Sequence, residues 1–147
     1  MIHVLQSQVT AMMDAPHKIT TDRVPLGRAL VVDDQAVALK LVQRMLEILG
    51  FSTVAVSGGR DAMVCLNQYR YDLLLTDLQM PDMDGYSLAG WLKHQWQDTP
   101  VIIMTGTCPA EVAGFMRGNL VDHWLFKPFT LNELAAAVKK FVRVKDS

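Results

Sequence analysis

The chain has 147 residues, enough for one domain that buries roughly 70% of its unfolded surface, so folding requires neither a disulfide nor a metal staple. With 14 basic and 15 acidic residues the net charge is −1, which argues against nucleic acid or an anionic membrane as an obligate electrostatic partner. Cys65 and Cys108 lack the paired spacing of a disulfide framework or metal site, no apolar stretch reaches the ~20 residues of a membrane span, and the first residues lack the basic start and long apolar core of a signal peptide. These features predict reduced thiols and a cytoplasmic location.

Residues 1–27 are irregularly polar and interrupted by Pro16 and Pro25, which predicts an N-terminal extension or linker ahead of a domain over 28–147. Met1 to Met13 could wind into one short helix, marginal in water without a surface to lie on. From Arg28 the pattern is regular. Ala29 to Val32 is an apolar strand ending in Asp33-Asp34, and Val37, Leu39, Leu41, Val42, Met45, Leu46 and Leu49 follow at helical spacing up to Gly50, the helix stop. Ser52 to Val56 is a second strand, and Gly58-Gly59 turns into a helix over Arg60 to Tyr69. Leu73 to Leu75 is a third strand that delivers Asp77 to its tip, with turn signals at Met80-Pro81 and Asp84-Gly85. Tyr86 to Gln95 is a helix, and Trp91 and Trp96 fall on different faces, one toward the core and one at the rim. Val101 to Met104 is a buried strand ending on Thr105-Gly106, Pro109 to Met116 a short helix, Trp124 to Phe126 a strand ending on Lys127-Pro128, and Leu131 to Val142 the last helix. Strands alternating with helices mean βαβ units, so the fold class is α/β, a doubly wound five-stranded parallel sheet flanked by five helices.

In a parallel sheet all strand carboxyl ends share one side, so Asp33, Asp34, Asp77, Thr105 and Lys127 converge on one rim. Taken singly, Asp77 could be an ordinary residue capping a turn. Two carboxylates about 4 Å apart repel by about 4 kcal/mol at an effective dielectric of 20, so three together must protonate or hold a cation. An all-oxygen set suits a hard ion, and Mg²⁺ fits best because it takes one or two carboxylates and completes its shell with water and phosphate oxygens. A carboxylate beside Mg²⁺, an ammonium and a hydroxyl can attack a phosphoryl group, with Asp77 as nucleophile. Neither a GxxxxGK[ST] loop nor GxGxxG is present, so nucleotide binding has no support. His3, His17, His94 and His123 share no metal spacing.

These residues carry a resemblance. VVDD at Val31 to Asp34, DLQMPDMDG at Asp77 to Gly85, Thr105-Gly106, and KPF at Lys127 to Phe129 resemble, in order and spacing, the receiver domain of bacterial two-component response regulators. The resemblance spans Arg28 to Val142. It implies a flavodoxin-like strand order of 2-1-3-4-5, Asp77 as phosphoacceptor, Asp34 as a direct Mg²⁺ ligand, Asp33 as a ligand through water, and the backbone carbonyl of Gln79 as a further metal contact. Thr105 and Lys127 would bind phosphoryl oxygens. Trp124 stands at the aromatic switch position, either as a switch or as a packed aromatic. Gln79 and Thr107 stand where family members tune the lifetime of the phosphoryl group, and neither is charged. Leu120 stands where the family usually has Gly, so the turn there is expected to use Gly118-Asn119, both tolerant of φ > 0.

The resemblance implies a phosphoacceptor signalling module. A histidine kinase or histidine-phosphotransfer protein would donate to Asp77 and dock on the first helix, and the acyl phosphate would change contacts with a downstream protein effector at the face of the fourth and fifth helices. A homodimer through that face is a further expectation, as is the absence of direct nucleic-acid or membrane contact. Such a module catalyses its own phosphorylation and dephosphorylation and is otherwise not an enzyme. With no effector domain expected after Lys145, output would pass through another protein or an onward relay; alternatively the segment is the receiver of a hybrid histidine kinase. Two other classes remain: a receiver-like binding module that never turns over phosphate, and a haloacid-dehalogenase-like phosphatase. The phosphatase expects its nucleophile in a DxDx motif at the first strand, whereas the first strand here ends in adjacent Asp33-Asp34.

Overall fold

The computed structural model describes residues 26–142, so the expectations for Met1 to Met13 and for the chain after Val142 lie outside the described residues. Five strands, β1 (Arg28–Val32), β2 (Ser52–Val56), β3 (Leu73–Asp77), β4 (Val101–Thr105) and β5 (His123–Phe126), alternate with five helices among the described residues. The helices are α1 (Ala36–Ile48), α2 (Gly59–Gln68), α3 (Gly85–Gln95), α4 (Pro109–Met116) and α5 (Leu131–Lys139). All pairings are parallel and the strand order is β2-β1-β3-β4-β5. The order implied by the family resemblance is therefore the observed one.

Side chains alternate across the pleat, so each strand feeds two cores. Ala29, Val31, Leu73, Leu75, Ile102 and Met104 face α1 and α5, where Met45, Leu46, Leu134 and Val138 meet them. Leu30, Val32, Leu74, Val101 and Ile103 face the other way, onto Ala62 and Leu66 of α2, Leu88 and Leu92 of α3, and Val112 of α4. Both faces of the central strands are covered, which is why these strands read as unbroken apolar runs rather than alternating ones. At about 1.5–3 kcal/mol for each fully buried aliphatic side chain, this double core is the main term holding the rim in place.

The ends of the elements differ in small ways from the sequence expectation. Gly50 does stop α1, at φ +108°. The helix α3 starts at Gly85 because the Asp84 carboxylate accepts from the Ser87 backbone N–H at 2.7 Å. The last helix, expected to reach Val142, ends at Lys139; the Lys140 N–H turns back to the Ala137 carbonyl, three residues earlier, and Phe141 and Val142 pack on the core from a turn. Its start is a capping box, with Thr130 Oγ1 accepting from the Glu133 N–H at 3.1 Å and Glu133 Oε1 from the Thr130 N–H at 3.2 Å. Gly118 is not in the positive-φ region, so the expected reason for glycine there is not the operative one. A β-carbon at Gly118 would sit 2.7 Å from the Tyr86 hydroxyl, and the glycine serves that close approach instead.

Candidate functional site

The strand order reverses direction between β1 and β3, and the crevice that opens outside their carboxyl ends is where α/β sheets bind ligands. Asp33 and Asp34 follow β1, and Asp77 closes β3. The fold brings one oxygen from each of these three carboxylates within 4.8 Å of the others, the only such group of potential metal ligands among the described residues. Asp33 is wholly buried, Asp77 half-buried and Asp34 exposed, so the cluster runs from the interior to open solvent.

Lys127, brought in by β5, is the positive charge at the centre. Its Nζ lies 3.0 Å from Asp33 Oδ2 and 3.2 Å from Asp77 Oδ1. The other Asp33 oxygen accepts from the Gln35 backbone N–H at 3.0 Å, which fixes that carboxylate at the head of α1. Burial pushes the Asp77 carboxyl above its ordinary pKa; Lys127 works against the rise, and the Asp33 and Asp34 charges add to it. Burial also opposes the charge on Lys127, but its hydrogen bonds to Asp33 and Asp77 and their negative charge outweigh burial and raise its pKa. One ammonium thus serves two buried or half-buried carboxylates, and a third carboxylate stands beside them without it. The donor set is all oxygen, carries excess negative charge and opens to solvent through Asp34, which suits a hard divalent cation.

Thr105, at the end of β4, is buried, and its Oγ1 accepts from the Thr107 backbone N–H at 3.0 Å. That bond uses a lone pair and leaves the hydroxyl proton free to donate. The Lys127 N–H bonds the Thr105 carbonyl at 2.8 Å, tying β4 to the turn that follows β5. Gln79 is exposed in the loop after Asp77. The loop is held by Leu78, whose N–H bonds the Met104 carbonyl at 2.9 Å, and by Gly85, whose N–H bonds the Leu78 carbonyl at 2.7 Å. A β-carbon at Gly85 would fall on the Asp77 carbonyl oxygen, well inside contact, so only glycine lets α3 start this close to the Asp77 backbone.

Trp124 is half-buried in the α3–α4 core, with its ring centroid 6.4 Å from that of Phe115, which in turn lies 4.8 Å from Tyr86. Sequence reasoning missed Phe115, which shares the short helix α4 with the exposed Met116. It also missed Asp82, whose carboxylate accepts from the backbone N–H groups of Gly59 and Arg60 at 3.2 and 3.0 Å. The available signal was the Gly58-Gly59 pair: α2 begins with no side-chain cap of its own, so its first N–H groups must find an acceptor elsewhere. Trp91 is half-buried against the core and Trp96 is at the rim, under the Arg70 guanidinium. His94 is exposed and His123 half-buried.

Comparison with known proteins agrees with this geometry. A family model described as the response regulator receiver domain matches residues 29–139. The transcriptional regulatory protein PrrA of Mycobacterium tuberculosis is 34% identical over 122 residues, covering 82% of this chain and 52% of that protein. The sensor protein GacS of Pseudomonas syringae is 35% identical over 137 residues, covering 86% of this chain and 15% of that protein. Among solved structures, the response regulator TrrA of Thermotoga maritima, in complex with Mg²⁺ and BeF, superimposes with a TM-score of 0.71 at 27% identity, covering 78% of this chain and 97% of that one. The chain therefore spans about half the length of PrrA and a small part of GacS. Among the described residues no helix is long and apolar enough to cross a membrane.

Proposed function

The chain belongs to the response regulator receiver domain family, and from that premise we propose that it accepts a phosphoryl group on Asp77 from a phosphohistidine. An Asp77 carboxylate oxygen attacks phosphorus, the bond from phosphorus to the donor imidazole nitrogen breaks, and an aspartyl phosphate remains. The observation that carries the reading is the placement of Lys127 Nζ between Asp33 and Asp77, at 3.0 and 3.2 Å. Once Asp77 is phosphorylated, the ammonium pairs with a phosphoryl oxygen while Asp33 keeps it oriented. The free Thr105 proton hydrogen-bonds another oxygen. Asp33, Asp34, Asp77 and the Gln79 carbonyl would hold Mg²⁺, which supplies charge neutralisation on the phosphoryl oxygens. TrrA, a relative of the same fold, was solved with Mg²⁺ and BeF, which supports that assignment. Gln79 and Thr107 offer no charged group to position an attacking water.

Partner contacts follow from exposed apolar groups. Val37 and Leu41, 84% and 44% exposed and one turn apart on α1 beside the site, would receive the histidine kinase or phosphotransfer donor. Phe115 and Met116 on α4 would meet the effector or, in a homodimer, a second copy. Trp124, packed beside Phe115, would couple this face to Thr105, as a moving switch or as a fixed wedge. A transcriptional regulatory protein and a sensor protein among the relatives support a module that serves either in a regulator or in a hybrid kinase. The proposal places it in the cytoplasm, without nucleic-acid contact of its own. Its chemistry is confined to forming and losing its own acyl phosphate.

Acetyl phosphate with Mg²⁺ should add one phosphoryl group by intact mass, and EDTA or Asp77→Asn should abolish the gain. Mg²⁺ binding without any gain from acetyl phosphate or from a phosphohistidine donor would leave a binding module, and turnover of a generic phosphate ester would favour the phosphatase class.

A further inference from the structure

The loop from Leu78 to Asp84 carries the proposed metal contact at Gln79, and its first half is fixed by burial of Leu78 and Met80. Its second half is held from outside. Among the hydrogen bonds of the described residues, the only ones that tie residues 80–83 to another element's backbone are the two that the Asp82 carboxylate accepts from Gly59 and Arg60, the first N–H groups of α2. Those bonds hold the Asp82 carboxyl below its ordinary pKa, the contact with Arg60 first. The fit is close on both sides. A β-carbon at Gly58 would lie 2.9 Å from Asp82 Oδ2, and one at Gly59 would lie 2.8 Å from the Met83 side chain. Gly58 has φ −160°, an extended backbone that any residue adopts, so glycine is needed there for space and not for conformation.

We propose that Asp82 is a positioning residue for the phosphoacceptor site: by capping α2 from the neighbouring loop, it fixes the backbone that carries Gln79 and so sets the affinity of the site for its divalent cation. This rests on the reading of the rim as a Mg²⁺-dependent phosphoacceptor. The physical reasoning is that a metal contact made by a backbone carbonyl cannot be adjusted by a rotamer. It is aimed only by the loop, which Leu78 ties to β4 on one side of Gln79 and Asp82 ties to α2 on the other. A helix N-terminus favours an anion, and here the anion is supplied by the loop itself, across 22 residues of sequence. Asp82 touches neither the phosphoryl group nor the metal.

The test uses the whole chain and three variants. Asp82→Ala should weaken Mg²⁺ binding by about 10-fold, the low end for groups that orient ligands from outside the coordination shell, and should slow phosphoryl uptake from acetyl phosphate at limiting but not at saturating Mg²⁺. In the metal-free protein it should shift the amide resonances of Leu78 to Met80 and deprotect the amides of Gly59 and Arg60. Asp82→Asn, which keeps an acceptor but removes the charge, should recover most of the affinity. Gly58→Ala should reproduce the loss by displacing the carboxylate, and should add nothing in an Asp82→Ala background. Asp61→Ala, which removes the acidic residue from the first turn of α2 without touching the loop, is the control and should leave Mg²⁺ affinity unchanged. Unaltered Mg²⁺ affinity in Asp82→Ala would overturn the proposal. So would an Asn variant as weak as Ala, since long-range charge alone would then account for the effect. Absence of Mg²⁺ binding in the wild type would instead overturn the reading of the site.

Discussion

Two lysine–aspartate nodes stand at opposite ends of the sheet. At the amino ends of the strands, Lys93 Nζ lies 2.7 Å from Asp122 Oδ2 and donates to the Thr99 carbonyl at 2.8 Å, while the same Asp122 oxygen accepts from the Val101 N–H at 2.7 Å. One cation meets one anion, and backbone groups at the strand starts complete both. At the carboxyl ends, Lys127 meets Asp33 and Asp77, with Asp34 beside them. The first node is balanced and joins α3, β4 and the entry to β5. The second carries surplus negative charge, which the scaffold holds together and a cation would relieve. Residue types are shared; stoichiometry separates a structural tie from a site.

That contrast can be broken at several points. The largest expected effect is at the balanced node: Asp122→Ala leaves the Lys93 ammonium, only 14% exposed, and the Val101 N–H without their partner, and urea unfolding should show a loss of about 3 kcal/mol. Mg²⁺ at 100 times its dissociation constant should stabilise the wild type by about 2.7 kcal/mol, a gain that Asp33→Asn should reduce and that calorimetric Tm values with and without EDTA would read. Asp77→Asn should have the opposite sign from Asp122→Ala, stabilising the metal-free protein at neutral pH by on the order of 1 kcal/mol. Burial first, and then the Asp33 charge, raises the folded-state pKa of Asp77 above its unfolded value. Its contribution to stability is therefore fully present below the unfolded pKa and lost as pH rises through the folded one. The advantage of Asn should accordingly be small in acid and grow as pH rises through the folded-state pKa of Asp77, and it should vanish when Mg²⁺ is added. Thr130→Ala, which opens the capping box of α5 and removes no charge from either node, should lower stability by about 1 kcal/mol. The smallest effect belongs to Arg70→Ala at the exposed Arg70–Asp98 pair, at most about 1 kcal/mol even with the contact to Trp96 counted.

Much of the site was legible because each functional residue ends an apolar run. Asp77 closes Leu73 to Thr76, Thr105 closes Val101 to Met104, and Lys127 closes His123 to Phe126, so parallel pairing alone carries them to one rim. Phe115 was not legible, since an aromatic on an eight-residue helix says nothing about which neighbour it meets. The reach of α5 was overread, because Phe141 and Val142 are apolar enough to continue its pattern yet pack from a turn. Gly118 was assigned to backbone conformation and turned out to make room for Tyr86, a partner 32 residues upstream that no local rule names.

By itself, then, the sequence determined the number and order of the elements, the parallel sheet and the set of residues at its rim, because hydrophobic period and turn chemistry are local properties of the chain. Only the tertiary structure decided that Lys127 is shared between Asp33 and Asp77, that Asp77 is half out of water, and that Asp82 caps α2. Those outcomes depend on distances between residues 22 to 94 positions apart, and such distances are set by how two faces of the sheet pack and not by any neighbour along the chain.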